Sequence, residues 1–142
     1  MRIMSRNLEE IEKLYLHDFT FNGFHYDYNR RKVHLKSENL YLRKGMEQEY
    51  LRKGIELEFD NVIGIHMQAC GFWGGGNSIR GINPGDGQLL TRYRKVSQND
   101  ENLDFADLID PENEFIELEI EINSGGTLTV VCEVLHVEEF PV

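Results

Sequence analysis

The stretch IELEIEINSGGTLTVVCEVLHV, residues 116–137, decides the fold class. Ile116, Leu118, Ile120 and Ile122 alternate with Glu117, Glu119 and Glu121. A period of two places each set on its own face of a strand. Asn123, Ser124, Gly125 and Gly126 supply a turn, and Leu128, Val130, Cys132 and Val134 alternate on the return. The pattern predicts a long antiparallel hairpin over 115–138 with one buried face.

The same rule carries the reading outward. In residues 17–28 the aromatics fall at Phe19, Phe21, Phe24, Tyr26 and Tyr28, with a one-residue slip at Asn22 and Gly23 that a β-bulge would absorb. Asn29, Arg30 and Arg31 have turn character, and Val33 and Leu35 resume the alternation, so a hairpin is expected here. Ile55, Leu57 and Phe59 alternate with Glu56 and Glu58 in a further strand. Residues 62–70 are more uniformly apolar and read as a central strand, and 88–96 as a short one. At the N-terminus the period is helical: Met4, Leu8, Ile11 and Tyr15 share one face of a helix over 1–16. Residues 71–87 form a loop holding seven of the thirteen glycines, and 99–114 an acidic connection with one helical turn ending at Pro111. The expected fold is α+β and mostly antiparallel β. It is a single domain over 1–142, with β-rich 17–98 and the N-terminal helix packed on a sheet or a two-layer sandwich.

One segment says nearly the same thing twice. Residues 41–49, YLRKGMEQE, and 50–58, YLRKGIELE, differ only as Met46 for Ile55 and Gln48 for Leu57. Two nine-residue copies are too few and too short for a solenoid. They read as a small tandem duplication in a hairpin connection, absorbed as a longer loop or a strand extension, because lengthening a loop costs little. The rival reading is a duplicated basic binding tip built on Arg43, Lys44, Arg52 and Lys53.

Charge bounds the partners. The net charge of −10 argues against nucleic acid, whose binding is driven by protein cations and counterion release. Residues 30–53 hold eight of the fifteen bases against three acids, whereas 99–121 hold ten acids and no base. No apolar run approaches the ~18 residues of a membrane span, and acids interrupt the N-terminal segment where a secretory signal would be continuous and apolar. Cytoplasmic residence is therefore expected. Cys70 and Cys132 sit in apolar settings as small core residues, with no CxxC spacing for zinc.

Reactive constellations are missing from the pattern. Gly71 and Gly76 have phosphate-loop spacing, but Asn77 and Ser78 follow, with no lysine to reach the phosphates. His17, His25, His34, His66 and His136 show neither HExxH nor HxH spacing, so no metal and no cofactor are expected. Ser78, Ser97 and Ser124 lack a nearby base and no GxSxG elbow exists. An enzyme is not the favoured reading. Trp73, flanked by glycines, is free to plug a core or to meet a partner.

Four short elements carry a resemblance: Leu16-His17-Asp18-Phe19, Phe24-His25-Tyr26-Asp27, Val33-His34-Leu35 and Phe72-Trp73-Gly74. Over about the first 80 residues the chain resembles small bacterial β-rich proteins that begin with a Leu-His-Asp element. Some of these are assigned as immunity proteins of polymorphic toxin systems. The resemblance implies a non-enzymatic protein-binding module that neutralises a toxin; independently, electrostatic steering would let an acidic surface over 100–121 meet a basic cleft of such a toxin or another basic protein. On this sequence that surface would comprise Asp104, Asp107, Asp110, Glu117, Glu119 and Glu121, with Trp73 as anchor. Two rivals stand beside it: a small-molecule-binding or catalytic sheet with a pocket lined by Trp73, Tyr26 and His66, and a self-associating module that pairs through an edge strand or the basic hairpin.

Overall fold

The structure, a computed structural model, describes residues 1–14, 16, 19–20, 23–44, 49–69, 78–99 and 114–141, with backbone alone at 38–44, 49–53, 97–99 and 141. Among the described residues nine strands and two helices follow in order: β1 (Arg2–Ile3), a 3-10 helix (Ser5–Lys13), β2 (Gly23–Asp27), β3 (Lys32–Lys44), β4 (Glu49–Asp60), β5 (Gly64–Gln68), β6 (Ile79–Pro84), α1 (Gln88–Asn99), β7 (Ile116–Ile122), β8 (Thr127–Cys132) and β9 (Val134–Pro141). The strands form two antiparallel sheets, ordered β1-β9-β4-β3-β2 and β5-β8-β7-β6.

The sheets pack face to face because each has one apolar rib set. Val33 and Leu35 of β3, Ile55, Leu57 and Phe59 of β4, and Leu135 and Val137 of β9 meet Ile79, Ile82, Leu118, Ile120, Leu128 and Val130 of the second sheet in one core. Phe59, Leu118, Ile120 and Leu135 are fully buried, and each such side chain contributes about 1.5–3 kcal/mol relative to exposure. Glu56 and Glu58 fall on the opposite side of β4, so the sequence alternation is the inside-outside alternation of the sheet.

β7 and β8 pair through the turn at Gly125, whose φ of +88° glycine adopts without a Cβ clash. The return strand does not continue to 137 in one sheet. It breaks at Glu133, and β9 pairs with β4 in the five-stranded sheet instead. The alternation slips there, from Val130 and Cys132 facing the core in β8 to Leu135 and Val137 facing it in β9. Cys132 is a free, wholly buried thiol at this corner.

Three local expectations are corrected. Residues 5–13 form a 3-10 helix kinked at Asn7 rather than an α-helix through 16. Asn7 Oδ1 accepts from Met4 N–H at 2.7 Å and its amide donates to Arg2 O at 2.8 Å, a side-chain competition that disrupts regular helix. Residues 62–70 do not supply a central strand: β5 lies at a sheet edge, with His66, Met67 and Gln68 exposed. Residues 88–96 are not a strand but part of α1. Leu89, Leu90 and Tyr93 of α1 pack with Ile63, Phe115 and Val131 in a second, smaller cluster on the outer face of the four-stranded sheet. Close approach is possible because Gly64 has no side chain; a Cβ there would fall 2.1 Å from Tyr93 Oη.

The repeat resolves into geometry. Its copies run along opposite strands of one hairpin, with Tyr41 opposite Arg52, Leu42 opposite Leu51, Arg43 opposite Tyr50 and Lys44 opposite Glu49. YLR thus pairs antiparallel with YLR about the Leu42/Leu51 position, and the two lysines fall outside that match, Lys44 opposite Glu49 and Lys53 opposite Leu40. β2 pairs with β3 only as far as Lys36, and β9 with β4 only as far as Lys53. Residues 40–44 and 49–52 therefore extend past both flanking strands as a two-stranded ribbon. The second copy's Gly54 stands opposite Phe140, and a Cβ on it would lie 2.2 Å from that ring.

Candidate functional site

Strand pairing brings outward-facing residues into rows across the five-stranded sheet. Arg2 stands opposite His136, His136 opposite Glu58, Glu58 opposite His34, and His34 opposite His25. A neighbouring row runs Glu138, Glu56, Lys36, Gly23. These residues are scattered over more than a hundred positions in sequence, and only the register of four strand pairs assembles them.

Side-chain contacts tie the rows together. Lys32 Nζ donates to Glu58 Oε1 at 2.7 Å and lies 3.3 Å from Asp60 Oδ1. Asp60 Oδ2 lies 2.7 Å from His136 Nε2, and Glu56 Oε1 lies 3.5 Å from His34 Nδ1. The Lys32–Asp60 approach is a charge contact without directed hydrogen-bond geometry, since Asp60 Oδ1 is buried with no hydrogen-bond donor. The hydrogen bond to Glu58, with the Asp60 carboxylate beside it, holds the Lys32 ammonium above its ordinary range. The same hydrogen bond holds the Glu58 carboxyl below its ordinary range, against a smaller desolvation effect in the other direction.

Lys32, Glu56, Glu58, Asp60, His136 and Glu138 line a hollow of about 320 Å³ on this face. Four carboxylates share it with one lysine. The pair contacts leave the side chains of Lys32, Glu56, Glu58, Asp60 and His136 between 25% and 39% exposed, so the charge is both ordered and accessible. Such a surface can hold an ammonium or guanidinium group. It lacks a hydroxyl or thiol nucleophile, and Lys32 is held in its protonated form. Among the described residues no three His, Cys, Asp or Glu side chains come together as a metal site.

A second polar hollow of similar volume lies between α1 and the four-stranded sheet, lined by His66, Gln68, Asp86, Arg92, Glu119 and Thr129 among others. Tyr26 is not part of it. Glu117 borders it but is spoken for. Only 7% exposed, its Oε2 accepts from Gly87 N–H at 2.8 Å and its Oε1 from Leu90 N–H at 2.9 Å. The carboxylate caps α1 from another element and complements the positive end of the helix.

The expected acidic surface is therefore revised at Glu117, which sits under α1 rather than on a solvated face. Glu119 and Glu121 are half-buried on the same side of β7. Trp73, Asp104, Asp107 and Asp110 lie outside the described residues. Arg43, Lys44, Arg52 and Lys53 belong to the ribbon strands, described by backbone alone. Of the expected pocket trio, His66 and Tyr26 fall on different sheets. The platform residues were missed; their signal was the outward alternation of Lys32, His34, Lys36 against Glu56, Glu58, Asp60, which needs strand register to become a site.

No protein-family model matches the sequence, and no curated protein matches it. A crystal structure of an uncharacterized protein from Neisseria gonorrhoeae is similar over 100% of this chain and 99% of its own, at 12% identity and a TM-score of 0.36. No helix among the described residues is long and apolar enough to cross a membrane.

Proposed function

We propose that this chain is a non-enzymatic, cytoplasmic protein-binding module that holds a basic partner against the outer face of its five-stranded sheet, as an immunity protein holds a toxin. One observation carries the reading: an accessible hollow in which Glu56, Glu58, Asp60 and Glu138 gather around Lys32. A partner's arginine or lysine entering it exchanges water for carboxylates already fixed by Lys32 and His136, so little ordering is lost on binding. The surplus of acid over the whole chain would speed encounter with a basic surface. The acidic set expected from the sequence, Asp104, Asp107, Asp110, Glu119 and Glu121 with Trp73, is a separate proposed contact, since Glu119 and Glu121 lie on the outer face of the other sheet.

The test is affinity capture from the native cell with the tagged chain, in salt from low to physiological, beside the double variant Glu56→Lys/Glu138→Lys. A basic protein held by the wild type, released by salt and lost by the variant supports the platform. Recovery of the chain alone, or capture indifferent to the charge reversal, refutes it. The small-molecule reading has one observation of its own, the second hollow with Arg92 and Glu119 at its wall. A thermal-shift screen of small polar metabolites, with His66→Ala as control, decides whether that hollow takes a ligand.

A further inference from the structure

The five-stranded sheet ends on β2, whose outer edge meets no strand among the described residues. Open edges are commonly blunted by lysine, proline or a bulge. β6 carries a register shift between Ile79 and Gly81 and ends at Pro84, and β9 ends at Pro141. β2, with the sequence GFHYD, has none of these devices and is exposed at every residue but Asp27. Phe24 and Tyr26 are 41% and 39% exposed, although both stand opposite the buried Leu35 and Val33 and so share the core-facing side of the sheet. An aromatic pair thus overhangs the core at an unpaired edge.

We infer that β2 pairs antiparallel with β2 of a second copy of this chain, about a two-fold axis through His25, joining two five-stranded sheets into one of ten strands. The sequence of β2 is its own complement in that register. Phe24 falls opposite the partner's Tyr26, Tyr26 opposite the partner's Phe24, and Gly23 opposite the partner's Asp27, where the small residue leaves room for the carboxylate. Cross-strand aromatic pairs are among the more favourable ones in sheets. The contact is isologous and closes after two copies, so it does not propagate. β1, at the opposite end of the same sheet, is only two residues long, and the edge strand β5 fits less well: Ile65 already packs on the core, Tyr93 lies across Gly64, and Met67 alone is an exposed large apolar residue. Five paired residues make a small interface, of the weak and transient class. The inference is independent of the acidic platform.

The experiment is sedimentation equilibrium on the full chain from about 10 µM to about 1 mM. It uses the wild type, Phe24→Lys/Tyr26→Lys, Phe24→Lys/Tyr26→Glu and Met67→Lys. The first double variant sets like charges opposite each other in both cross-strand pairs and is expected to raise Kd at least tenfold. The second sets Lys opposite Glu twice and is expected to recover the dimer. Met67→Lys is expected to change nothing. In the wild type, concentration-dependent amide shifts should be confined to residues 23–27 and their immediate neighbours, a readout that holds even if a variant folds poorly. A wild type monomeric throughout, a dimer indifferent to the first double variant, failure of the charge-paired variant to recover association, or loss caused by Met67→Lys overturns the proposal.

Discussion

Replacing Glu117 by alanine tests how α1 is held. In the structure its carboxylate accepts from two backbone amides at the start of the helix, Gly87 N–H and Leu90 N–H, at 2.8 and 2.9 Å. A hydrogen bond to a charged group contributes roughly 1.5–3 kcal/mol net. The amides lie beside an open polar hollow, so water entering it would recover part of the loss. Glu117→Ala should then cost about 2–4 kcal/mol, and Glu117→Gln, which keeps one acceptor, about 1–2 kcal/mol. For a chain of this size that is a drop in Tm on the order of 10 °C for alanine. Urea denaturation followed by circular dichroism measures the total, and amide exchange locates it. Protection at Leu90 should fall by at least about tenfold, while protection in β4 changes only by the global loss. If alanine costs less than about 0.5 kcal/mol, or Leu90 keeps its excess protection, the cap is incidental and α1 is held by Leu89, Leu90 and Tyr93 alone.

Three further outcomes follow from the packing and the charges. Gly64→Ala drives a methyl into the Tyr93 ring and should destabilise by about 1–3 kcal/mol, with Tyr93→Ala in the same chain relieving part of the cost in a double-mutant cycle; strict additivity would sink the contact. Lys32 and Glu58 contribute to stability fully between the ordinary carboxyl range near 4.5 and the ordinary lysine range near 10.5. The contribution is lost as pH falls through the lowered Glu58 value and as it rises through the raised Lys32 value. Lys32→Met should therefore lower the urea midpoint at pH 7 and matter progressively less as pH falls below 4.5 and through the lowered Glu58 value, and an equal loss at every pH would refute the pairing. Burial pushes the Cys132 thiol above its ordinary range, so in a Cys70→Ser background it should resist a thiol reagent until urea unfolds the chain. Stoichiometric labelling of the native protein would contradict its placement.

The sheet architecture was legible where one residue in two is apolar. Ile116 to Ile122, and Ile55 to Phe59, alternate in the structure as they do in the sequence, because a half-buried strand has no other way to satisfy both faces. The helix α1 was not read from the sequence, which suggested a strand over 88–96, although Leu89, Leu90 and Tyr93 fall at helical spacing. What could not be read is anything that depends on which strands become neighbours. Glu117 and Leu90 are linked by a hydrogen bond across 27 positions, and the row from Arg2 to His25 crosses five strands. Composition gave an acidic protein with a basic hairpin; register turned part of it into an acid-lined hollow around Lys32.

The corner at Glu133 has a mechanical consequence. One covalent ribbon passes from the middle of the four-stranded layer directly into the five-stranded one, with a single residue between. The layers consequently cannot part by sliding, since any displacement of one drags the backbone of the other. Melting should be all-or-none across both, with Val130 and Leu135 amides opening together, and a load applied to either layer is borne by the pair as one spring.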